Sequence, residues 1–204
     1  MLRRTVSSLA RTDYLEVLAG SLSQGAAIVR DYRRGKTDPA LLVTVEHATN
    51  SLPGGYSFQD QSLTKEAGAT LLENSHWGWD PGALETADKV ARAAGGVLVA
   101  AAYSRLLIDP NRPLPSDTLI RRSFDGIPIT LNIDVDHAEL TNRVNKYYSP
   151  FHTTMGAVKA EIAPVALLSI HSFSPTYPGM APGSRDFEAG VLYTFDDALA
   201  EAFR

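Results

Sequence analysis

Cysteine is absent from the 204 residues. That excludes a disulfide scaffold, a thiol nucleophile and every zinc site built on thiolates. It fits a reducing compartment, and a cytoplasmic location is the expectation. No apolar run approaches the eighteen or so residues of a membrane span, so no membrane partner is expected. Long runs of one charge are also missing. Arg33-Arg34 and Arg121-Arg122 are short pairs in a chain of net charge −4, which argues against a grip on nucleic acid. No Gly-x-Ser-x-Gly stretch is present, so Ser172 and Ser174 lack the elbow of a serine nucleophile.

What the chain has is an alternation of short apolar runs and helical periods. A chain of this length and composition can bury a core without staples, so any metal is free to be catalytic. The pattern predicts one α/β domain over 1–204, with residues 1–20 as an extension. Arg3, Arg4, Arg11, Ser7 and Ser8, with no acid before Asp13, give that extension a weak likeness to an organelle transit peptide; a flexible or helical extension is the preferred reading.

Strands are expected at Gly25 to Val29, Leu41 to Val45, Val97 to Ala102, Val165 to Ile170 (another buried strand) and Gly190 to Tyr193. Helices are expected at Leu63 to Leu72, Ala83 to Ala94 and Asp196 to Phe203. The apolar stripe Leu140, Val144, Tyr147, Phe151, Met155, Val158, Ile162 predicts two abutting helices or one kinked at Ser149-Pro150. Strand 41–45, helix 83–94 and strand 97–102 read as one crossover unit. Residues 113 to 136 read as a long surface loop.

Two of the five histidines share a context. His47 follows the strand Leu41 to Val45, and His171 follows Val165 to Ile170. Parallel strands bring both imidazoles to the carboxyl edge of the sheet, where open α/β folds bind ligands. Two imidazoles and one carboxylate make a catalytic zinc set with one position left for water, whose pKa the metal lowers towards about 7. Asp80, just before a helix, is the carboxylate candidate; alone it reads equally as a helix cap. A lone strand-end histidine is more often a hydrogen-bonded structural residue. His76 reads equally as packing beside Trp77 and Trp79, and His137 as a helix start.

Four segments in order resemble the N-formylglutamate amidohydrolase family: Glu46-His47-Ala48-Thr49-Asn50, His76 to Ala83, Ser104 to Arg112, and Ile170-His171-Ser172-Phe173. The likeness runs from about residue 40 to 195. It implies a three-layer α/β/α fold with a mixed, mostly parallel sheet, related to the zinc carboxypeptidases. It also implies one zinc ion on His47, Asp80 and His171, and a small N-acyl amino acid as substrate. Arg105, Asp109 and Glu46 are the catalytic candidates, and Arg112, Asn111, Arg143 and His152 the substrate-binding ones. Paired arginines suit a substrate with two carboxylates, and an Arg suits an oxyanion. Asp109 could instead orient an Arg or a ligating histidine.

The family pattern leads one to expect a late glutamate as general base. No residue before Arg204 matches it, so Glu46 or Glu73 would serve, or the chain is a shortened form that binds metal or an anion without turnover. A plain structural α/β module is the remaining alternative.

Overall fold

The computed structural model describes residues 20–34, 40–58, 76–124, 127–174, 188–192, 198 and 201. The chain divides into two compact units, Met1–Ser172 and Phe173–Arg204. Everything that follows on the sheet and the site belongs to the first.

Its centre is a four-stranded sheet of β1 (Ala27–Asp31), β2 (Leu41–Val45), β3 (Val97–Ala101) and β6 (Ala166–Ser169), in the order β1-β3-β2-β6. β2 runs parallel to both β3 and β6, and β1 is antiparallel to β3. The mixed, mostly parallel sheet is therefore as the resemblance implies, and the β2–helix–β3 crossover as the periodicity predicts.

Strand alternation gives the sheet two apolar faces. Val43 and Val45 of β2, with Leu98 and Ala100 of β3, pack on α1 (Ala83–Ala94) through Ala83, Ala87 and Ala91. An alanine every fourth residue lets that helix lie close to the strands. Leu42, Val97, Val99 and Ala101 face the opposite way, onto Phe151, Val158 and Ile162 of α4 (Ser149–Ile162). Helix α1 ends at Gly95, whose left-handed φ of 61° no side chain adopts cheaply. A β-carbon on Gly96 would stand 2.4 Å from the Leu41 carbonyl oxygen, so the return into β3 requires glycine.

Several expectations are corrected. β1 begins two residues later than predicted because Gln24 and Gly25 take positive φ in the preceding turn. The 113–136 segment is not structureless. It holds a short hairpin of β4 (Ser123–Phe124) and β5 (Ile127–Pro128), and a helical turn, α2 (Thr130–Ile133). Asn132 pins that turn by donating to the carbonyls of Leu106 and Arg121. Of the two readings at Ser149-Pro150, the structure has the abutting helices, with one further element joining them. Between α3 (His137–Arg143) and α4 lies a π-helical turn, Val144–Tyr148, in which the Ser149 N–H reaches back to the Val144 carbonyl. Widening the coil just before a proline is one way to admit a ring that has no N–H to give.

β6 is not fully buried: Val165 just before it and Leu167 within it are exposed, as suits the last strand in the sheet order. Residues 190–192 form no strand. Ala198 and Glu201 are helical, while the rest of the predicted 196–203 helix, the 63–72 helix and Glu73 lie outside the described residues.

Candidate active site

The turn after β2 carries Glu46 and His47, and the chain leaving β6 carries His171. Parallel register pairs Thr44 with Ser169, and the Ile170 N–H donates to the Thr44 carbonyl. Glu46 thus comes alongside His171, two positions further on. Asp80 arrives from the other direction. Its N–H donates to the His47 carbonyl at 2.9 Å, fixing the 76–80 turn against the end of β2. Gly82, not Asp80, caps α1, and it makes no side-chain cap bond, so the helix-cap reading of Asp80 is set aside.

These three side chains converge. His171 Nδ1 lies 2.7 Å and His47 Nδ1 3.4 Å from the same Asp80 oxygen, Oδ2. One ligand atom from each residue falls within 4.8 Å of the other two. The imidazole rings stand 4.9 Å apart at 63°. His47 and Asp80 are buried, whereas the His171 side chain is 32% exposed, so the cluster opens on the His171 side.

Behind each imidazole stands a carboxylate. His47 Nε2 pairs with Asp109 Oδ1 at 2.8 Å. His171 Nε2 faces Glu46 Oε2 at 3.4 Å and Ser169 Oγ at 3.1 Å, and Ser169 donates to Glu46 at 2.7 Å. Both rings are thereby turned so that Nδ1 is the inward atom. A carboxylate on the outer nitrogen is the usual way that a metal-ligating histidine is fixed and made more basic. Three carboxylates surround the pair, and Arg105 sets a permanent positive charge against two of them. Its Nη2 donates to Asp109 at 2.8 Å, and its Nη1 stands 3.2 Å from His47 Nδ1 and 3.9 Å from Asp80 Oδ1. The donor set of two imidazoles and a carboxylate suits a divalent metal such as zinc.

The titrations carry the same imprint. Hydrogen bonds to Asp80 and then Glu46 raise His171 to about 9, against the opposing effect of burial. Burial works to raise Glu46, but bonds from His171 and Ser169 outweigh it and hold the group at about 2. Asp80 and Asp109 are likewise held below the carboxylate range, because bonds from the histidines overcome their burial.

The other sequence candidates divide. Asp109 takes the orienting role, on His47 and Arg105 together, and also accepts the Asn111 N–H at 2.9 Å. Glu46 sits behind His171, its Oε2 3.4 Å from Nε2. Arg112 borders the cluster, its Nε 3.9 Å from Asp109 Oδ2. His152 is held by Pro110 and feels the charge of Glu46.

Arg143 is directed elsewhere. It is buried, and its guanidinium serves Glu139, the Leu107 and Leu131 carbonyls and Asn132 Oδ1. It lines a cavity of about 490 Å³ together with Tyr56 and Tyr147, and no residue of the His–Asp–His cluster lines that cavity. His76 is an exposed neighbour of Trp77, and His137 opens α3, behind its cap Asp136.

Sequence reasoning missed Ser169, the link between Glu46 and His171. The available signal was its spacing: residues i and i+2 of a strand share a face, which puts Ser169 below His171. Ser104 was missed as well. Its hydroxyl oxygen lies 2.9 Å from both Asn50 Oδ1 and the Gly78 carbonyl, bracing the turn that delivers Asp80.

Fold and site together define an α/β protein with a His–Asp–His group that could hold a metal ion at the carboxyl edge of its parallel strands. Residues 39–204 match the N-formylglutamate amidohydrolase family, and the chain belongs to that family. Among solved structures it is similar to a gene product from Agrobacterium tumefaciens: 32% identity, TM-score 0.67, covering 76% of this chain and 59% of that one. An N-formylglutamate amidohydrolase from Ralstonia eutropha JMP134 matches at 20% identity and TM-score 0.46, over 73% of this chain and 57% of that one. The chain thus spans less than two thirds of the length of either. A comparison with curated proteins gives no match. No helix among the described residues is long and apolar enough to cross a membrane.

Proposed function

We propose that the chain carries the active site of a zinc-dependent amidohydrolase that cleaves N-formyl-L-glutamate, or a similar N-acyl amino acid, to formate and the free amino acid. The observation that carries this reading is the meeting of His47 Nδ1 and His171 Nδ1 on one oxygen of Asp80. The acid behind each imidazole supports it.

His47, Asp80 and His171 would hold the ion, which when bound polarises the scissile carbonyl and makes water acidic enough to act near neutral pH. Asp109 holds His47 in the tautomer that leaves Nδ1 free, and Glu46 with Ser169 does the same for His171. Arg105 is fixed by Asp109 on one arm and turns the other towards the ligand atoms. That arm can stabilise negative charge on the amide oxygen as the tetrahedral centre forms. Arg112, with Asn111 beside it, offers a partly exposed guanidinium for a substrate carboxylate. Arg143 has no part in this assignment, because protein acceptors already engage its guanidinium.

The test is metal content and formate release measured on the same preparation, with and without added zinc. We expect about one equivalent of zinc and zinc-dependent formate. His47→Ala and His171→Ala should each lose tight zinc binding. Full zinc occupancy in the double variant would end the assignment. Stoichiometric zinc without formate, here and in a longer chain, would reduce the activity to metal binding.

A further inference from the structure

The cavity beside the π-helical turn measures about 490 Å³, a size that small-molecule sites commonly have. Gly54 and Gly55 form part of its wall and put no side chain into it, and a β-carbon on either would meet nothing within 4 Å. The Tyr56 and Tyr147 rings meet edge to face at 6.1 Å and give it an aromatic corner, to which Leu131 and Val135 add aliphatic surface.

Four charged residues line this space, and two of them are already spent. Arg143 pairs with Glu139 at 2.7 Å, and its remaining nitrogens serve Asn132 and the carbonyls of Leu107 and Leu131. The Glu139 carboxylate also accepts from Tyr56 at 2.8 Å and from Asn142 at 3.1 Å. Asp134 and Lys146 are left. Both are exposed, and neither makes an ion pair with the other or with any other described residue. One carboxylate and one ammonium thus open on a single, partly apolar cavity and stand too far apart to neutralise each other. A ligand that fits between them carries a positive and a negative group of its own, with an apolar body for the tyrosines.

We propose that this cavity binds a free α-amino acid with an apolar side chain. Its ammonium meets Asp134, its carboxylate meets Lys146, and its side chain lies against Tyr56 and Tyr147. Binding here is independent of metal and of any amidohydrolase activity, because no residue of the His–Asp–His cluster lines the cavity. An acylated amino acid lacks the ammonium, so the site separates free amino acids from the substrate class of the cluster.

The experiment titrates the nitrogen-15-labelled chain with L-leucine, L-leucinamide and N-acetyl-L-leucine and follows the backbone amide shifts. Leucine should move Gly54, Gly55, Lys146 and Tyr147 saturably, with a Kd on the order of 1 mM. Leucinamide, without the carboxylate, and N-acetyl-leucine, without the ammonium, should each bind there about 3- to 5-fold more weakly, the worth of one exposed ion pair. Shifts at His47 and His171 report binding at the cluster and are read separately. Lys146→Met should make leucine and leucinamide bind alike, and Asp134→Asn should do so for leucine and N-acetyl-leucine. Both positions are exposed, and thermal melting checks that both variants fold. The absence of saturable shifts at Lys146 and Tyr147 with leucine at about 10 mM would overturn the proposal. So would equal affinity for the three compounds, or preferences that both variants leave unchanged.

Discussion

Asp109→Asn is the perturbation that most directly weighs the carboxylate behind His47. Asp109 is 3% exposed and receives three bonds: His47 Nε2 at 2.8 Å, Arg105 Nη2 at 2.8 Å and the Asn111 N–H at 2.9 Å. Asparagine keeps the shape, and its Oδ1 can still accept from His47 and Asn111. Its Nδ2, however, meets Arg105 donor against donor, and the charge that makes His47 a stronger ligand is gone. Losing such a partner typically lowers metal affinity by about 10- to 100-fold, or about 1.4–2.7 kcal/mol. The assay is a competition titration of zinc against a chromophoric chelator at neutral pH. Melting of the metal-free protein checks folding, and Asp117→Asn, at an exposed acid, is the control for net charge. If Asp109→Asn binds zinc within twofold of that control while remaining folded, the carboxylate has no hold on the ligand and the reasoning fails.

Gly78→Ala should disturb the turn that delivers Asp80, because a β-carbon there would fall 1.7 Å from Asn50 Oδ1 and 3.1 Å from Ser104 Oγ. Zinc titration should show weaker binding, and denaturation a loss of about 1–3 kcal/mol. Asp88 on α1 accepts from Tyr32, from Arg30 at 2.5 Å and from Arg92 at 3.3 Å, and these bonds lower its pKa from 3.8 to about 2. A lowered carboxylate pKa contributes stability above the unfolded value and loses it as pH falls through the folded one. Asp88→Asn should therefore cost about 1 kcal/mol at pH 7, after discounting for solvent, with most of the difference gone once the pH has fallen to about 2. Urea melts at the two pH values measure it. Phe151→Ala, at a site with no exposure, should cost about 3–5 kcal/mol in the same assay.

The part of the fold that was legible in the sequence is the part governed by local pattern. The unbroken apolar run Leu41 to Val45, the alanine face of Ala83 to Ala94 and the Gly95-Gly96 stop sufficed for the crossover. His47 and His171 followed from it, because residues placed after parallel strands share an edge whatever their separation in sequence. Pairings set by long-range register were less legible. That Asp109 would back His47 and Glu46 back His171 depends on how β2, β6 and the Ser104 to Arg112 segment lie side by side, which no single segment states. The surroundings of Arg143 were illegible for a similar reason: the carbonyls of Leu107 and Leu131 that its guanidinium bonds come from elsewhere in the chain. The π turn was invisible because its cause, Pro150, equally predicts a kink.

The site repeats one device on two strands, and the repetition follows from the sheet. β2 and β6 are adjacent and parallel, so whatever stands one turn past the end of one can reach the end of the other. Glu46, from the β2 side, reaches across to His171. Asp109, from the segment after β3, reaches the neighbouring His47 in the same sense. Each histidine is thus oriented by an acid delivered from a different strand end, and Asp80 faces both Nδ1 atoms. A local change that shifts β2 against β6 by one residue would turn Glu46 away from His171 and carry His47 to the opposite side of the strand. Ligand geometry at this edge is therefore a property of sheet register, and the apolar contacts of Leu42 and Val43 on the two faces of β2 hold the site as surely as the polar bonds beside it do.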